Sequence, residues 1–219
     1  MNQFNTLIFF FLLPFFGLSQ KHIDTLNSVN DLTDNKRFWF YFDNDEDKKL
    51  GLSDLLNSSD SLNIRIRSFC DVLDISLKNN GTSISKHFIY LIKKNKKSKP
   101  QKVIYDGLNI DSSLTKLIMD TLFKFQIDKF QDCSKIPNYP LFVDGNTYRI
   151  QIATPTTYKE FTLASPYAAK EIKEAEVFDS FIKYVYKLVD YTKRFDQLKA
   201  QLKNGIYIYG GLYFYTIKH

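Results

Sequence analysis

Three aspartates in alternate positions are the first residues of this chain that could do chemistry. Asp43, Asp45 and Asp47 have the D-x-D-x-D spacing of a calcium-binding loop, and Asp54 stands in the twelfth position of such a loop. The sixth position needs a glycine for its sharp turn, but this chain has Lys48 there. The twelfth ligand is usually a glutamate that binds through both oxygens, and aspartate is shorter. The sequence therefore predicts a solvated acidic turn rather than a metal site.

The histidines offer no base with an evident catalytic partner. His22 and His219 lie close to the two ends of the chain, and only His87 falls within a predicted strand. A single histidine in a strand is typically a half-buried structural residue. The sequence contains none of the G-x-S-x-G, H-E-x-x-H or Walker-type motifs. We therefore favour a non-catalytic protein without a cofactor, and the alternative is a hydrolase whose acidic residues converge only in the fold.

The chain contains two cysteines, Cys70 and Cys133. In an oxidising compartment, two cysteines have only each other as intramolecular partners. We therefore expect a disulfide bond that ties the segment around Cys133 to the predicted sheet. The alternative is a pair of buried thiols.

Six lysines form the most concentrated charge in the sequence. They fall within residues 93–102, and their number equals the formal net charge of +6. The isoelectric point of about 9.1 therefore reflects one local segment, which argues against nucleic acid as a partner. Pro100 interrupts regular strand pairing, so we predict an exposed hairpin tip that either only solubilises the protein or contacts an anionic surface of the cell envelope. The six residues are Lys93, Lys94, Lys96, Lys97, Lys99 and Lys102.

Four tyrosines near the C-terminus are the second surface candidate. Alternation within a predicted terminal hairpin, residues 206–209 and 212–215, places the four on one face. They either fill the core or form an aromatic surface that holds a sugar ring or a protein partner. The four residues are Tyr207, Tyr209, Tyr213 and Tyr215.

The first nineteen residues predict a cleavable secretory signal peptide. Residues 7–16 are apolar, and Gly17, Leu18 and Ser19 put small residues at the positions that a signal peptidase inspects. A membrane-spanning helix needs about 20 apolar residues, and Pro14 interrupts this shorter stretch. No later stretch is long and apolar enough to span a membrane. We therefore expect an exported protein in the periplasm, outside the cell or at its surface.

After a polar leader at residues 20–36, the rest of the chain predicts one domain at residues 37–219. The alternative is a split near residues 131–138. Asn79, Asn80 and Gly81 indicate a hairpin with a type I′ turn, and Asp144 with Gly145 indicates a second turn. The predicted strands are residues 37–42, 62–67, 72–78, 84–93, 103–105, 141–143, 148–152 and 158–163. Residues 62–67 alternate as a strand with one solvated face does.

Two substantial helices are expected beside these strands. Asp111 is a predicted N-cap for an amphipathic helix that ends near Phe125. A longer pattern begins at Pro166, with a break between Asp190 and Asp196 and a final stop at Gly205. Antiparallel hairpins that form a sheet packed against two helices, with a C-terminal hairpin, define the α+β class.

Several structural segments resemble a family of uncharacterised exported proteins from Bacteroidota-type bacteria. The likeness rests on residues 141–150, on residues 158–166 with the long helix that follows, and on the signal ending Leu18, Ser19 and Gln20. The resemblance implies a periplasmic or surface location and implies no activity or functional residue. We expect a non-catalytic binding or interaction module, whose partner is an anionic envelope component or another exported protein.

Overall fold

The computed structural model describes residues 22–23, 47–94, 100–142, 145–209 and 213–217. The predicted signal peptide, the aromatic strand at 37–42, and Asp43 and Asp45 lie outside the described residues. The described chain forms a nine-stranded sheet with helices packed against one face, which confirms the predicted α+β class. No described helix has the length and apolar character needed to cross a bilayer.

The strands are β1 (His22–Ile23), β2 (Leu62–Arg67), β3 (Asp71–Leu77), β4 (Ser83–Lys94), β5 (Pro100–Ile110), β6 (Thr147–Ala153), β7 (Thr157–Ala164), β8 (Gly205–Tyr209) and β9 (Tyr213–Ile217). The helices are α1 (Ser112–Lys124), α2 (Lys173–Leu188) and α3 (Tyr191–Ala200). Three short 3-10 helices lie at Ile127–Lys129, Cys133–Lys135 and Pro166–Ala168.

The sheet runs in the order β1, β7, β6, β2, β3, β4 and is antiparallel except for the β1–β7 pair. Strand β4 is the hub, because it pairs with β3 along its first half and with β8 through Ile92, Lys93 and Lys94. Strand β5 pairs along the opposite edge of β4. Strands before and after residues 131–138 share this sheet, since β2 pairs with β6.

The turn between β3 and β4 differs from the predicted type I′ turn. The amide of Gly81 donates to the carbonyl of Lys78 at 2.9 Å, and the amide of Lys78 donates to the carbonyl of Thr82 at 2.8 Å. Gly81, at φ +82°, is the one residue of this loop with a positive φ. The three-residue loop is therefore a type I turn closed by a left-handed glycine, and the hairpin itself is as predicted.

The next hairpin is longer than predicted. Strand β5 begins at Pro100, which faces Lys94 across a register shift, and Lys93 faces Lys102. Proline is tolerated here because the first residue of a strand can do without its ladder N–H. Lys96, Lys97 and Lys99 lie outside the described residues.

The structure confirms the predicted N-cap of α1 and the break in the long pattern, but α2 begins at Lys173 and not at Pro166, which opens a short 3-10 helix. Asp111 caps α1, because its side chain accepts a hydrogen bond of 2.8 Å from the amide of Leu114. The predicted break in the long pattern occurs at Asp190, whose left-handed backbone at φ +51° separates α2 from α3. The prediction that Gly205 stops the helix is wrong, since α3 ends at Ala200 and Gly205 opens β8.

The predicted strand at 141–143 is wrong for the two residues that the structure describes. Leu141 and Phe142 have no strand conformation, and Leu141 is 100% exposed. Strand β6, its expected partner, already pairs with β2 on one edge and with β7 on the other. Strand β6 therefore has no free edge with which residues 141–142 could pair.

The expected disulfide is also wrong, because Cys70 and Cys133 are not joined. The sulfur of Cys133 lies 3.9 Å from the hydroxyl of Thr162 on β7, whereas Cys70 immediately precedes β3. Strands β6 and β2 lie between β7 and β3, a separation of three strand spacings or about 14 Å. A disulfide needs Cα atoms within about 7 Å of each other.

Two hydrophobic clusters join the helices to the inner face of the sheet. The larger one packs α1 and α2 on β2, β3, β6 and β7, and its fully buried members include Ile64, Ile75, Ile118, Ile150, Phe161, Phe178 and Phe181. The second packs α3 on β4 and β8 through Ile89, Leu91, Phe195, Leu198, Leu202 and Tyr207. The position of α3 is therefore set by a core of its own.

Candidate functional site

A chain of polar side chains is buried between the sheet and the junction of α2 with α3. At its centre is His87 of β4, which is 0% exposed. Nη1 of Arg194 lies 2.8 Å from Nδ1 of His87, and Nε2 of His87 lies 3.4 Å from a carboxylate oxygen of Asp71. A guanidinium can only donate, so Nδ1 accepts and the imidazole is neutral with its hydrogen on Nε2. That hydrogen points to Asp71.

The other oxygen of Asp71 is committed to two hydroxyl groups. Tyr186 of α2 donates to it at 3.0 Å, and Ser68 donates to the same oxygen. Burial of the Tyr186 hydroxyl and the nearby charge of Asp71 raise the pKa of Tyr186 well above its usual value. Tyr186 therefore remains a hydrogen-bond donor, and the carboxylate joins α2 to the start of β3.

Arg194 fixes α3 to both β4 and β5. Its Nε donates to the carboxylate of Asp106 at 2.6 Å, and its Nη2 donates to the backbone carbonyl of His87 at 3.0 Å. A planar guanidinium with several donors suits this multiple contact better than an ammonium group. The whole network therefore runs from Tyr186 through Asp71, His87 and Arg194 to Asp106.

The Asp71–His87 pair has the carboxylate–imidazole order of a hydrolase, but its geometry serves a different purpose. In a catalytic triad, the second ring nitrogen faces a nucleophilic hydroxyl and takes its proton. Here that nitrogen faces Arg194, which gives a hydrogen and takes none. The pair therefore positions α3 and does not present a general base.

Next to this network, an open groove lies where α2 ends and α3 begins. Its volume is about 740 Å³, within the range of ligand-binding pockets. Tyr186 and Tyr191 line it, with their rings stacked at 4.3 Å and 19°, and Tyr191 stacks in turn on Phe195 at 6.1 Å. The left-handed residue Asp190 creates the bend that opens the groove.

The remaining groove residues are mostly polar and their charges balance. Two lysines and two aspartates contribute, so the formal charge of the lining is zero. Tyr191 is already in stacking contact with two other rings, those of Tyr186 and Phe195. The other lining residues are Lys187, Asp190, Thr192, Lys193, Asp196, Gln197 and Ala200.

Three of the lysines singled out in the sequence, Lys93, Lys94 and Lys102, are described by the structure, and none of them lines this groove. Lys102 is exposed, and the ammonium group of Lys93 lies 5.7 Å from the centre of the Tyr207 ring. Lys94 pairs with Ile206 of β8 through the backbone. The proposed contact of these lysines with an anionic surface stays a prediction.

Of the four C-terminal tyrosines, Tyr207 does not contribute to an exposed aromatic surface. It is buried under α3, and its hydroxyl donates to the carbonyl of Lys203 at 2.7 Å. The register pairs Tyr207 with Tyr215 and Tyr209 with Tyr213, as the alternation requires. The side chains of these last three tyrosines lie outside the described residues.

The outer face of β2 is not solvated as predicted. Arg65 is 2% exposed and contacts Asp74 and Asp47 at 2.7 Å each, and Arg67 also pairs with Asp47. Asp47, read from the sequence as part of a solvated turn, therefore pairs with two buried arginines, and Asp47 and Asp74 together balance their two charges. The carboxylate of Asp54 accepts from the backbone amide of Leu56 at 2.9 Å. Within the described ranges, no three His, Cys, Asp or Glu side chains converge as metal ligands would.

The sequence did not predict the groove, although it predicted the break between the two helices at which the groove lies. Tyr186 and Tyr191 fit the amphipathic pattern and were indistinguishable there from other core aromatics. No protein-family model matches this chain, and no curated protein is detectably similar to it in sequence. The function must therefore be argued from the groove and from the network behind it.

Proposed function

We propose that this chain is an exported, non-catalytic binding module that holds a polypeptide segment of another exported protein in the α2–α3 groove. The observation that carries the proposal is the open groove of about 740 Å³ bounded by two stacked tyrosines. Behind it, the network from Asp71 to Arg194 fixes both helices to the sheet. A rigid frame lowers the entropic cost of binding, because less of the protein has to be ordered.

The lining favours a polypeptide over a sugar or an anionic polymer. A sugar ring stacks on the free face of an aromatic ring, but the rings of Tyr186 and Tyr191 stack on each other and Tyr191 also stacks on Phe195. An anionic polymer needs a large excess of positive charge, whereas two of the four charged residues of the lining are aspartates. A peptide of mixed charge can pair with both signs and place an apolar side chain against the tyrosine edges.

The hydrolase alternative receives less support. A hydrolytic site would need a base with access to a nucleophile or to water. The one histidine beside the groove has its two ring nitrogens directed at Asp71 and Arg194. This arrangement supports a positioning role for His87.

A selection of random peptides displayed on phage tests the binding proposal. The wild-type protein serves as the target, and the variant Gln197→Arg, which fills the groove from an exposed position, serves for counter-selection. We expect enriched peptides of mixed charge with one apolar residue that bind the wild type and not the variant. Failure to enrich peptides, or peptides that bind both proteins equally, contradicts the proposal.

Export is the second part of the proposal and has its own test. The apolar stretch and the small residues before Gln20 support it. Mass spectrometry of the protein from envelope and secreted fractions should find an N-terminus near Gln20. An N-terminus at Met1 contradicts export through a cleaved signal peptide.

A further inference from the structure

Among the strands that the structure describes, β5 forms an edge of the sheet. It is eleven residues long and pairs with β4 alone among the described strands. In an antiparallel sheet, every second residue of an edge strand turns both its N–H and its C=O outward. Such a row of donors and acceptors is a template for a further strand.

Features that commonly hinder edge pairing are concentrated at one end of β5. The strand begins with Pro100, and Lys102 is exposed. Beside them, the pairing with β4 has a register shift between Lys93 and Lys94. From Val103 to Ile110 the pairing with β4 is regular. The one charged side chain in that stretch, Asp106, is bound by Arg194. Over these eight consecutive residues, the described part of the chain therefore shows no proline, register shift or unpaired charge that would hinder edge pairing.

We propose that this edge pairs with the β5 edge of a second copy of this chain, antiparallel and with Asp106 on the two-fold axis. In this register the inner face places Ile104 opposite Leu108, and the outer face places Tyr105 opposite Gly107. Tyr105 is 50% exposed, and Gly107 is exposed and has no side chain of its own. Within one chain the Phe88 ring lies beside Gly107 and packs edge-to-face on Tyr105, so the Tyr105 ring of the second copy extends this aromatic surface over the exposed part of the glycine.

This register brings one pair of like charges together, and an ion pair within each chain reduces their repulsion. The two copies of Asp106 face each other across the axis, where equal charges repel. Each carboxylate is held by Nε of its own Arg194 at 2.6 Å, so each ion pair is locally neutral. The lysine end of β5 is kept apart from its symmetry mate, because Lys102 falls opposite Ile110.

Sedimentation analysis of the full chain over a wide range of protein concentration tests the proposal. We expect the wild type to shift from the mass of one chain to that of two as its concentration rises. Tyr105→Lys and Asn109→Lys put charge on the paired stretch and should keep the protein at the mass of one chain. Tyr167→Lys changes another exposed tyrosine, on a 3-10 helix outside the sheet, and should behave as the wild type does.

Hydrogen exchange provides a second readout that does not depend on the variants. Backbone amides of β5 that point outward should exchange fast at low protein concentration and become protected at high concentration. A wild type that keeps the mass of one chain throughout, or a dimer that both variants still form, overturns the proposal. Matching circular dichroism spectra of all variants exclude misfolding as the cause of a lost dimer.

Discussion

Nη1 of Arg194 donates a hydrogen bond of 2.8 Å to Nδ1 of His87, and this contact ties α3 to the middle of the sheet. Because the imidazole is fully enclosed, the nitrogen has no water to replace the arginine. The same arginine reaches Asp106 of β5. Arg194 therefore adds a polar anchor to the hydrophobic cluster that packs α3 on β4 and β8.

Replacing this arginine should loosen α3. Arg194→Met leaves the buried Nδ1 of His87 without a donor, so we expect the free energy of unfolding to fall by about 2–3 kcal/mol. Arg194→Lys keeps the charge but not the planar fork and should give an intermediate loss. Urea denaturation measures both, and Lys193→Met on the exposed side of the helix is the control. Arg194→Met with wild-type stability would contradict the role of this contact.

The outer face of β2 should respond as a coupled buried ion-pair network. Arg65→Met leaves Asp74 with an uncompensated charge, and breaking such a buried pair costs about 3–5 kcal/mol. Combining it with Asp74→Asn should cost less than the sum of the two single changes, because the pair is lost only once. The more exposed pair of Lys78 with Asp60 is the control, and Lys78→Met should change stability by at most about 1 kcal/mol. Additive costs in the double-mutant cycle would rule out the coupling.

The sequence predicted some local features correctly, while the type I′ turn before Gly81 and the helix stop at Gly205 were wrong. Asp111 as an N-cap and the helix break near Asp190 follow from short-range rules, and both are present. Strand order does not follow from such rules, because pairing partners are distant along the chain. The expected disulfide therefore failed, since β6 and β2 lie between the two cysteines.

The candidate site was less predictable for the same reason. His87 and Arg194 are separated by 107 positions, and neither neighbourhood indicates the other. The alternation in β2 was correct, but it did not reveal that Asp47 covers the charged face. Burial of Arg65 depends on a segment that precedes the strand and folds over it.

Three tyrosines should make the protein sensitive to alkali. Burial raises the pKa of Tyr186, Tyr158 and Tyr139, with further contributions from the charges of Asp71 beside Tyr186 and Glu160 beside Tyr158. Above about pH 10 the unfolded chain releases these protons while the folded protein retains them. The unfolded state then binds fewer protons, so the contribution of these tyrosines to stability is constant below about pH 10 and falls as the pH rises further.

Denaturation at a series of alkaline pH values measures this slope, and absorbance of tyrosinate counts the phenols that titrate in the folded state. Tyr186→Phe removes one of the three hydroxyl groups and should make the fall of stability with pH less steep by the contribution of that one group. A wild type whose stability does not change above about pH 10 would contradict the burial of these hydroxyl groups.

The two cysteines should behave as separate thiols. Cys133 is half-buried and should react with a thiol reagent in the folded protein, whereas Cys70 is buried and should react only after unfolding. Because no disulfide is present, a reductant should leave the melting temperature unchanged. An intact mass lower by two hydrogens, or a melting temperature that drops on reduction, would show that the cysteines pair after all.

The central claim is that the α2–α3 groove binds a polypeptide, and calorimetric titration of one phage-selected peptide into the folded protein tests it most directly. Lys193→Glu reverses a charge on the groove, while Lys116→Glu makes the same change on the exposed face of α1. Loss of one charge-assisted contact of about 1.4 kcal/mol corresponds to about a tenfold weaker affinity. We predict a loss of at least this size for Lys193→Glu and wild-type affinity for Lys116→Glu. Equal affinity of the peptide for all three proteins would contradict the claim.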